Sequence, residues 1–557
     1  MGSTRTESPN NDQRSRRRSL LICGVLLFPF LLAVWVVPWF VTQDGPLSVY
    51  NTYVLREVSK GNDFLATAYA ERGSVVPYLG GHKLLTLLLA IFPARTADRL
   101  MMTFSLLGIV ASLFWLRRRL TGWTGIEVIL PLVVLLAGTR LWLLGLNSFL
   151  LGACVFPLGL GLWWKWRDEL NVLRAALLAA LLVAGYFFHI IGAAFTVVGI
   201  GILAVATPTA DWRKRLTWST ASLAPVLLFI LGFGASARQS GKGATWDGLT
   251  GAGSADEWLQ YIQSPDFISF SFKTRAGGLL SIATDCPFVS EPSSSYAVLG
   301  PSLWAAVGLM LLIAAAIRHR GGLGGLRRSY NRGWMVLILV LAVVGLFGPS
   351  SIAEGSLLRE RVMLFSVMTV MSVVRVDAGH YLSRACRVCL FVGVALQAAF
   401  VWDYALISNR IAGQVMAAAP HVGTRKRVGL VLADPRTQYL INPLPNIANQ
   451  LGVDASNIVW NNYEPNYYYF PITFRDGTAE TATARILLLN ELFISGEAEQ
   501  FAAKDPRRFE SAVSAGLDET DVLIVWGRVP WFDAFGSKWF QSDPVFESGL
   551  LRVFTRK

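Results

Sequence analysis

From residue 19 onward the chain alternates between apolar runs and short polar breaks rich in arginine and lysine. A helix needs about 20 residues to cross ~30 Å of hydrocarbon. By that measure the pattern predicts spans near 19–41, 99–116, 124–143, 149–165, 172–188, 190–207, 217–235, 298–317, 333–348, 358–374 and 386–405. A further apolar stretch, 84–93, is too short to cross and is predicted to be a juxtamembrane helix. The basic breaks set the orientation. Arg14 to Arg18, Arg117 to Arg119, "WKWRDE", "DWRKR", "RHRGGLGGLRRSYNR" and Arg375 to Arg387 recur on one side of the spans, which the positive-inside rule assigns to the cytoplasm. The expectation is eleven crossings, a cytoplasmic N-terminus, and two large external segments at 42–83 and 236–297.

After about residue 423 the period changes. "RVGLVLAD" and "DVLIVWG" are short β-branched runs ending in turn residues, with helix-like stretches such as "AEQFAAKDPRRFESAVSAG" between them. The chain is therefore expected to be an α-helical polytopic membrane protein carrying a small extracytoplasmic α/β domain. Its parts are a basic cytoplasmic tail (1–18), a transmembrane domain (19–407), a linker (408–422) and the α/β domain (423–557).

Composition agrees with that class. The chain is 53% hydrophobic and 16% charged, whereas soluble domains carry roughly 25% charged residues. The net charge of +13 arises from the topogenic clusters, so nucleic acid is not an expected partner. Five cysteines are too scattered for a disulfide framework, and Cys386 and Cys389 open an apolar span as packing residues. No cleavage site follows the first run, which reads as a retained signal anchor.

Chemistry is expected where ionisable groups meet the membrane boundary. Asp44, in "VPWFVTQDGPLSVYN", stands just past the first span, and desolvating an acid there is costly enough to need a function. A bland reading also exists: a helix-ending residue before a Gly-Pro turn. Behind it, Leu47, Tyr50, Val54, Leu55 and Val58 recur at helical spacing, predicting an interfacial helix with one apolar face. His82 and Lys83 follow a Gly-Gly break on the same side. His82 reads as a proton carrier, a hydrogen-bond donor to a hydroxylated substrate, or a helix-starting residue. His189 falls between two spans. The turn "GPSSIAEGSLLRERVMLF" carries Glu354, Arg359 and Arg361. The two arginines point to different sides of a helix, so one at most readily faces a cavity, where it would clamp a phosphate or else snorkel to headgroups. In the C-terminal domain Tyr463, Tyr467, Tyr468, Trp460, Asn461 and Asn462 fall densely on predicted loops, where they either contact a ligand or pack the domain onto the membrane. Asp434 and Glu464 are not expected in the chemistry.

On "DGPLSVYN", "GGHKLL", "GLNSFLLG", "FFHIIGAAF" and "EGSLLRERVMLF", in this order, the chain resembles the membrane-embedded GT-C glycosyltransferases, and within them an uncharacterised bacterial subgroup. The resemblance implies transfer of a sugar from a polyprenyl-phosphate-linked donor to an extracytoplasmic glycan or glycolipid, at the bacterial inner membrane. It carries Asp44 over as catalytic base and Arg361 as a donor-phosphate contact. Arg359, His82, Lys83, Tyr50, Asn51, Asn147, His189 and Glu354 are the further candidate substrate contacts. No metal or other cofactor is expected. Ser48 stands where the subgroup usually has histidine, which makes a divalent cation less expected. Within this reading the loop aromatics and amides of the C-terminal domain would contact sugar, and the domain is expected to serve the acceptor and not the donor. The alternatives are a lipid-linked saccharide flippase and a catalytically silent assembly partner.

Overall fold

A computed structural model describes residues 9–123, 125–207, 211–239, 244–245, 301–319, 332–349, 351–352, 356–435 and 441–557. Helix α1 (Pro9–Val36) leads into α2 (Gly45–Ser59), α3 (Asp63–Ala68), strand β1 (Tyr69–Glu71) and α4 (Leu79–Ile91). The bundle continues with α5 (Ala94–Leu120), α6 (Ile126–Ala137), the single turn α7 (Arg140–Leu143), α8 (Asn147–Trp166), α9 (Val172–Phe188), α10 (Ile190–Ala206) and α11 (Trp212–Gln239). The two-residue strand β2 (Ala244–Thr245) pairs with β3 (Ser351–Ile352). Between and after them come α12 (Pro301–His319), α13 (Arg332–Phe347), α14 (Leu358–Val373) and α15 (Tyr381–Ala417). Taking α6 with α7, eleven helical units occupy the eleven spans that hydropathy predicts. Six of these are both long and apolar enough to cross a membrane. Segment α4 has 13 residues and cannot.

The bundle core is a continuous apolar cluster built on α1, α5, α6, α8, α10 and α14. Helices α8 and α10 approach so closely that a Cβ on Gly192 would lie 2.4 Å from the Gly152 carbonyl oxygen. Small residues permit this contact, and it seats the turn carrying His189 against α8: a Cβ on Gly152 would meet the His189 Cβ at 2.8 Å. Gly192→Ala should force backbone apart and cost about 1–3 kcal/mol. Thermal unfolding in detergent reads this, and an unchanged midpoint would refute the packing argument.

The C-terminal domain is a five-stranded mixed sheet, order β5-β4-β7-β9-β8. Strands β4 (Arg427–Leu432), β5 (Ile458–Val459) and β7 (Val522–Trp526) run parallel, while β8 (Phe546–Ser548) and β9 (Leu551–Thr555) close it antiparallel. Helices α16 (Gly477–Ile494) and α17 (Pro506–Asp518) are amphipathic partners, with Ile486, Leu489, Phe509 and Val513 buried in the domain core. Strand β6 (Ile472–Phe474) leaves this sheet and pairs antiparallel with β1, Tyr69 opposite Phe474.

Three sequence expectations change here. The stretch 408–422 is not a linker. Helix α15 continues through Ala417 and one further turn covers Ala419–Val422. Ala412, Val415, Ala418 and Val422 lie in the domain core, so a helical face ties domain to bundle. Nor does α2 lie on an interface with one apolar face. Its first ten residues apart from Ser48 are buried on all sides. Val49 packs with α4 and α5, and Tyr50, Tyr53 and Val54 join the core of the C-terminal domain. Finally, the division at residue 423 does not describe the packing, because 45–71 and 423–557 share one core.

Candidate active site

Asp44 sits at the first residue of the α2 entry, but its carboxylate makes no capping bond. Thr42 takes that role, its Oγ1 accepting from the Gly45 N–H at 3.0 Å. The Asp44 backbone is fixed by its N–H donating to the Leu144 carbonyl at 2.9 Å. The side chain is left to face a cavity. Asn446 Nδ2 donates to Asp44 Oδ1 at 2.9 Å, and the Tyr463 hydroxyl donates as well. Burial pushes the Asp44 carboxyl up to about 7, against the opposing charge of Arg361 and these two donors. An acid poised near neutrality is suited to take a proton from a hydroxyl.

Arg361, on the first turn of α14, is 4% exposed. Its guanidinium lies 4.9 Å from the centre of the Phe149 ring and reaches His189 Nε2 at 3.2 Å and the Tyr78 hydroxyl. Its Nε is buried without a hydrogen-bond partner. No acid among the described residues lies within ion-pair distance of it. A buried guanidinium in this condition is a seat for an anion. His189 Nε2 also meets the Tyr78 hydroxyl at 2.9 Å. Burial, then the Arg361 charge, holds His189 well below the usual histidine range, so it is neutral.

Two cavities meet on this pair. The first, about 330 Å³, extends towards α4 and α5 and is lined by Ser48, Tyr78, His82, Asp98, Asn147, His189, Glu464 and the aromatics Tyr467, Tyr469 and Phe470. The second, about 490 Å³, extends under the C-terminal domain past Arg140, Asn446, Asn461, Asn490 and Glu491. Asp44, Leu146, Ser356, Arg361 and Tyr463 line both. Arg140 Nε is likewise buried and without a hydrogen-bond partner. Both chambers thus share Asp44 and Arg361; the second adds the Arg140 guanidinium, the Glu491 carboxyl and amides, and the first adds aromatic rings, amides, acids and histidines.

Of the residues singled out in the sequence, Asp44, His82, Asn147, His189 and Arg361 line the first cavity. Asn51 stands behind its wall, bonded to Glu464 and Asn462. Tyr50 does not reach it. It is a strut, its hydroxyl donating to Asn457 O at 2.8 Å and accepting from Val459 N at 3.1 Å. Lys83 points outward to Glu71, 3.7 Å away, on an exposed surface. Arg359, two residues from Arg361 and hence turned away on the helix, lines neither cavity. Glu354 lies outside the described residues, as does most of the segment 236–297.

The C-terminal domain corrects a larger expectation. Trp460 and Asn461 are internal, the latter bonded to the Leu430 backbone, and Tyr468 stacks on Phe233 of α11. Glu464, set aside at the level of sequence, lies in the first cavity with Tyr463, Tyr467 and Tyr469. The domain brings Asn446 and Tyr463 directly to Asp44. Asp98 and Arg140, which no sequence expectation names, line the first and second cavity respectively.

No protein-family model matches the chain, and no curated protein does. Among solved structures it is similar to ArnT from Cupriavidus metallidurans in the apo state, at 13% identity and a TM-score of 0.37, over 95% of this chain and 97% of that one. It is similar to the same protein bound to undecaprenyl phosphate, at 13% identity and a TM-score of 0.32, over 89% and 76%. It is also similar to the arabinofuranosyltransferase AftD from Mycobacteria, at 14% identity and a TM-score of 0.39, over 97% of this chain and 40% of that one.

Proposed function

We propose that the chain is a membrane glycosyltransferase of the GT-C type, moving a sugar from a polyprenyl-phosphate-linked donor to a hydroxyl of an extracytoplasmic glycan or glycolipid. The observation that carries this reading is the pair Asp44 and Arg361 on the wall shared by two cavities. Two substrates can then meet at one base and one cation.

The chemistry needs little else. An acceptor hydroxyl loses its proton to an Asp44 carboxylate oxygen as its oxygen bonds to the anomeric carbon. The bond from that carbon to the phosphate oxygen breaks, and the electron pair leaves with the phosphate. Arg361 stabilises the charge that grows there, in a site where burial makes that interaction stronger than in water. Arg140 adds positive charge in the second chamber, which favours that side for the phosphate. The aromatic and amide lining of the first chamber suits an uncharged saccharide, with rings for stacking and side chains for hydroxyls. Tyr78, Tyr469 and Phe470 form one such platform, with centroids 4.8–5.7 Å apart.

Protein purified in detergent and given a radiolabelled polyprenyl-phosphate sugar with an envelope-glycan or glycolipid fraction should transfer label. Movement of intact carrier across vesicles without transfer would replace this reading with the transporter. Within the enzyme reading, Asn446→Ala removes a donor that holds the Asp44 carboxyl down. The acid limb of kcat/KM should therefore move above about pH 7, with a several-fold loss at neutral pH. A limb that stays put would show that Asn446 does not tune the base.

A further inference from the structure

Glu464 comes from the C-terminal domain, is 3% exposed, and opens onto the first cavity. Its Oε2 accepts from Asn51 Nδ2 at 2.6 Å. That amide is held in turn by a reciprocal pair with Asn462, at 2.6 and 3.2 Å. Opposite stands His82, 6% exposed, with its Nε2 3.8 Å from Glu464 Oε2. The tautomer of His82 follows from its other nitrogen. Thr52 Oγ1 donates to the Ser48 carbonyl at 2.9 Å, so its lone pair accepts from His82 Nδ1–H at 2.8 Å. Nε2 is left as a bare acceptor. The separation of 3.8 Å is too long for a direct hydrogen bond and short enough for one hydroxyl oxygen to touch both groups.

We infer that Glu464 and His82 together recognise one saccharide hydroxyl, which donates to His82 Nε2 and accepts from the protonated carboxyl of Glu464. The occupant's identity as a saccharide rests on the glycosyl-transfer reading; the pairing of the two groups across one hydroxyl rests on their 3.8 Å separation and burial, and the acceptor role of His82 on its bond to Thr52. Protonation is consistent with the surroundings. Burial raises the Glu464 carboxyl to about 8, with the Asp44 charge adding to it and the Asn51 bond opposing. Burial, helped by Lys83, lowers His82 to about 4. The other ionisable groups facing Glu464 are Tyr78 and Tyr463, both neutral at these pH values. Above about pH 8 the carboxyl ionises and both groups become acceptors; one hydroxyl proton cannot serve both, His82 Nε2 is left unpaired, and binding of the hydroxyl weakens.

The test uses the full chain in lipid nanodiscs. Glu464→Gln keeps a donor in place and removes the titration. Its KM at pH 7 should stay within about threefold of wild type, and the rise of KM expected of wild type above pH 8 should be absent. Glu464→Ala should raise KM about tenfold or more at pH 7, because a buried partner is left unsatisfied. Whether the donor's or the acceptor's KM moves identifies which sugar bears the hydroxyl. Infrared spectroscopy gives a readout independent of turnover. Wild type at pH 7 should show a protonated-carboxyl stretch, absent in Glu464→Gln, that shifts when methyl glycosides of hexoses and pentoses are added. If wild type transfers nothing, the enzyme reading falls and this band alone decides the hydroxyl site. An absent or unresponsive band overturns the inference, and so does a Glu464→Gln variant as impaired as Glu464→Ala.

Discussion

Asp44→Asn should lose transfer by about 10²–10⁴-fold, the usual contribution of a positioned base, while folding and membrane insertion stay normal. The substitution is nearly isosteric. Its amide oxygen can still accept from Asn446 Nδ2, 2.9 Å from the present carboxylate oxygen, and from the Tyr463 hydroxyl. What disappears is the capacity to take a proton. Stability should move the other way. The carboxyl is raised in the folded state to about 7 from an ordinary 3.8, so the folded protein holds this proton more tightly than the unfolded chain. Wild type therefore loses stability as pH climbs through that interval, and the asparagine variant does not. At pH 8 the variant should unfold at a temperature equal to or above that of wild type. A variant that is stable and retains most of its activity would remove Asp44 from the mechanism. One that is inactive and destabilised would leave its role unproved, and the Glu464 and Arg361 variants would then have to carry the case.

What the sequence reveals about this site divides by distance along the chain. Asp44, His82, His189 and Arg361 are polar groups interrupting or ending apolar runs, and the cost of placing them there is visible locally. The spans are legible for the same reason. Asn446, Tyr463 and Glu464 carry no such signal. They belong to a domain of ordinary composition, and Asn446 meets Asp44 across 402 residues. What brings them together is the pairing of β1 with β6 and the shared core around Tyr50 and Tyr69. Neither is encoded in a local period. The same pairing explains why α2 is misjudged as interfacial: its polar residues look solvent-facing until Asn51 and Thr52 find partners in Asn462, Glu464 and His82. Asp98 carries no local signal, because one acid between Ala97 and Arg99 at the start of an apolar helix reads as a solvated end, whereas the structure buries it. Its carboxylate lies instead about 3.1 Å from where a Cβ on Gly45 would stand, which leaves glycine the residue that fits beside it.

Arg361→Gln should combine two effects that no surface arginine would produce together. The first is a fall in kcat of about 10²–10³-fold, the scale for losing one charge-stabilising donor in a buried site. The second is a displacement of the acid limb of the pH–rate profile above about 7, because the Arg361 charge is the leading influence holding the Asp44 carboxyl down against burial. Removing that charge should also let His189 titrate nearer its ordinary range, since Arg361 is one of the two causes of its depression. Arg361→Lys should recover little. An ammonium keeps the charge but not the planar fork that spans the Phe149 face, His189 Nε2 and a phosphate at once. Arg359→Gln is the control, since Arg359 borders neither cavity, and it should stay within about twofold of wild type. Headgroup snorkelling makes the opposite forecast: both arginines would behave alike, lysine would substitute for either, and the acid limb would not move. Initial rates across pH 5–9 for the three variants separate the two accounts. An unmoved limb in Arg361→Gln would mean that the guanidinium does not act on Asp44, and the shared wall of the two chambers would lose its chemical meaning.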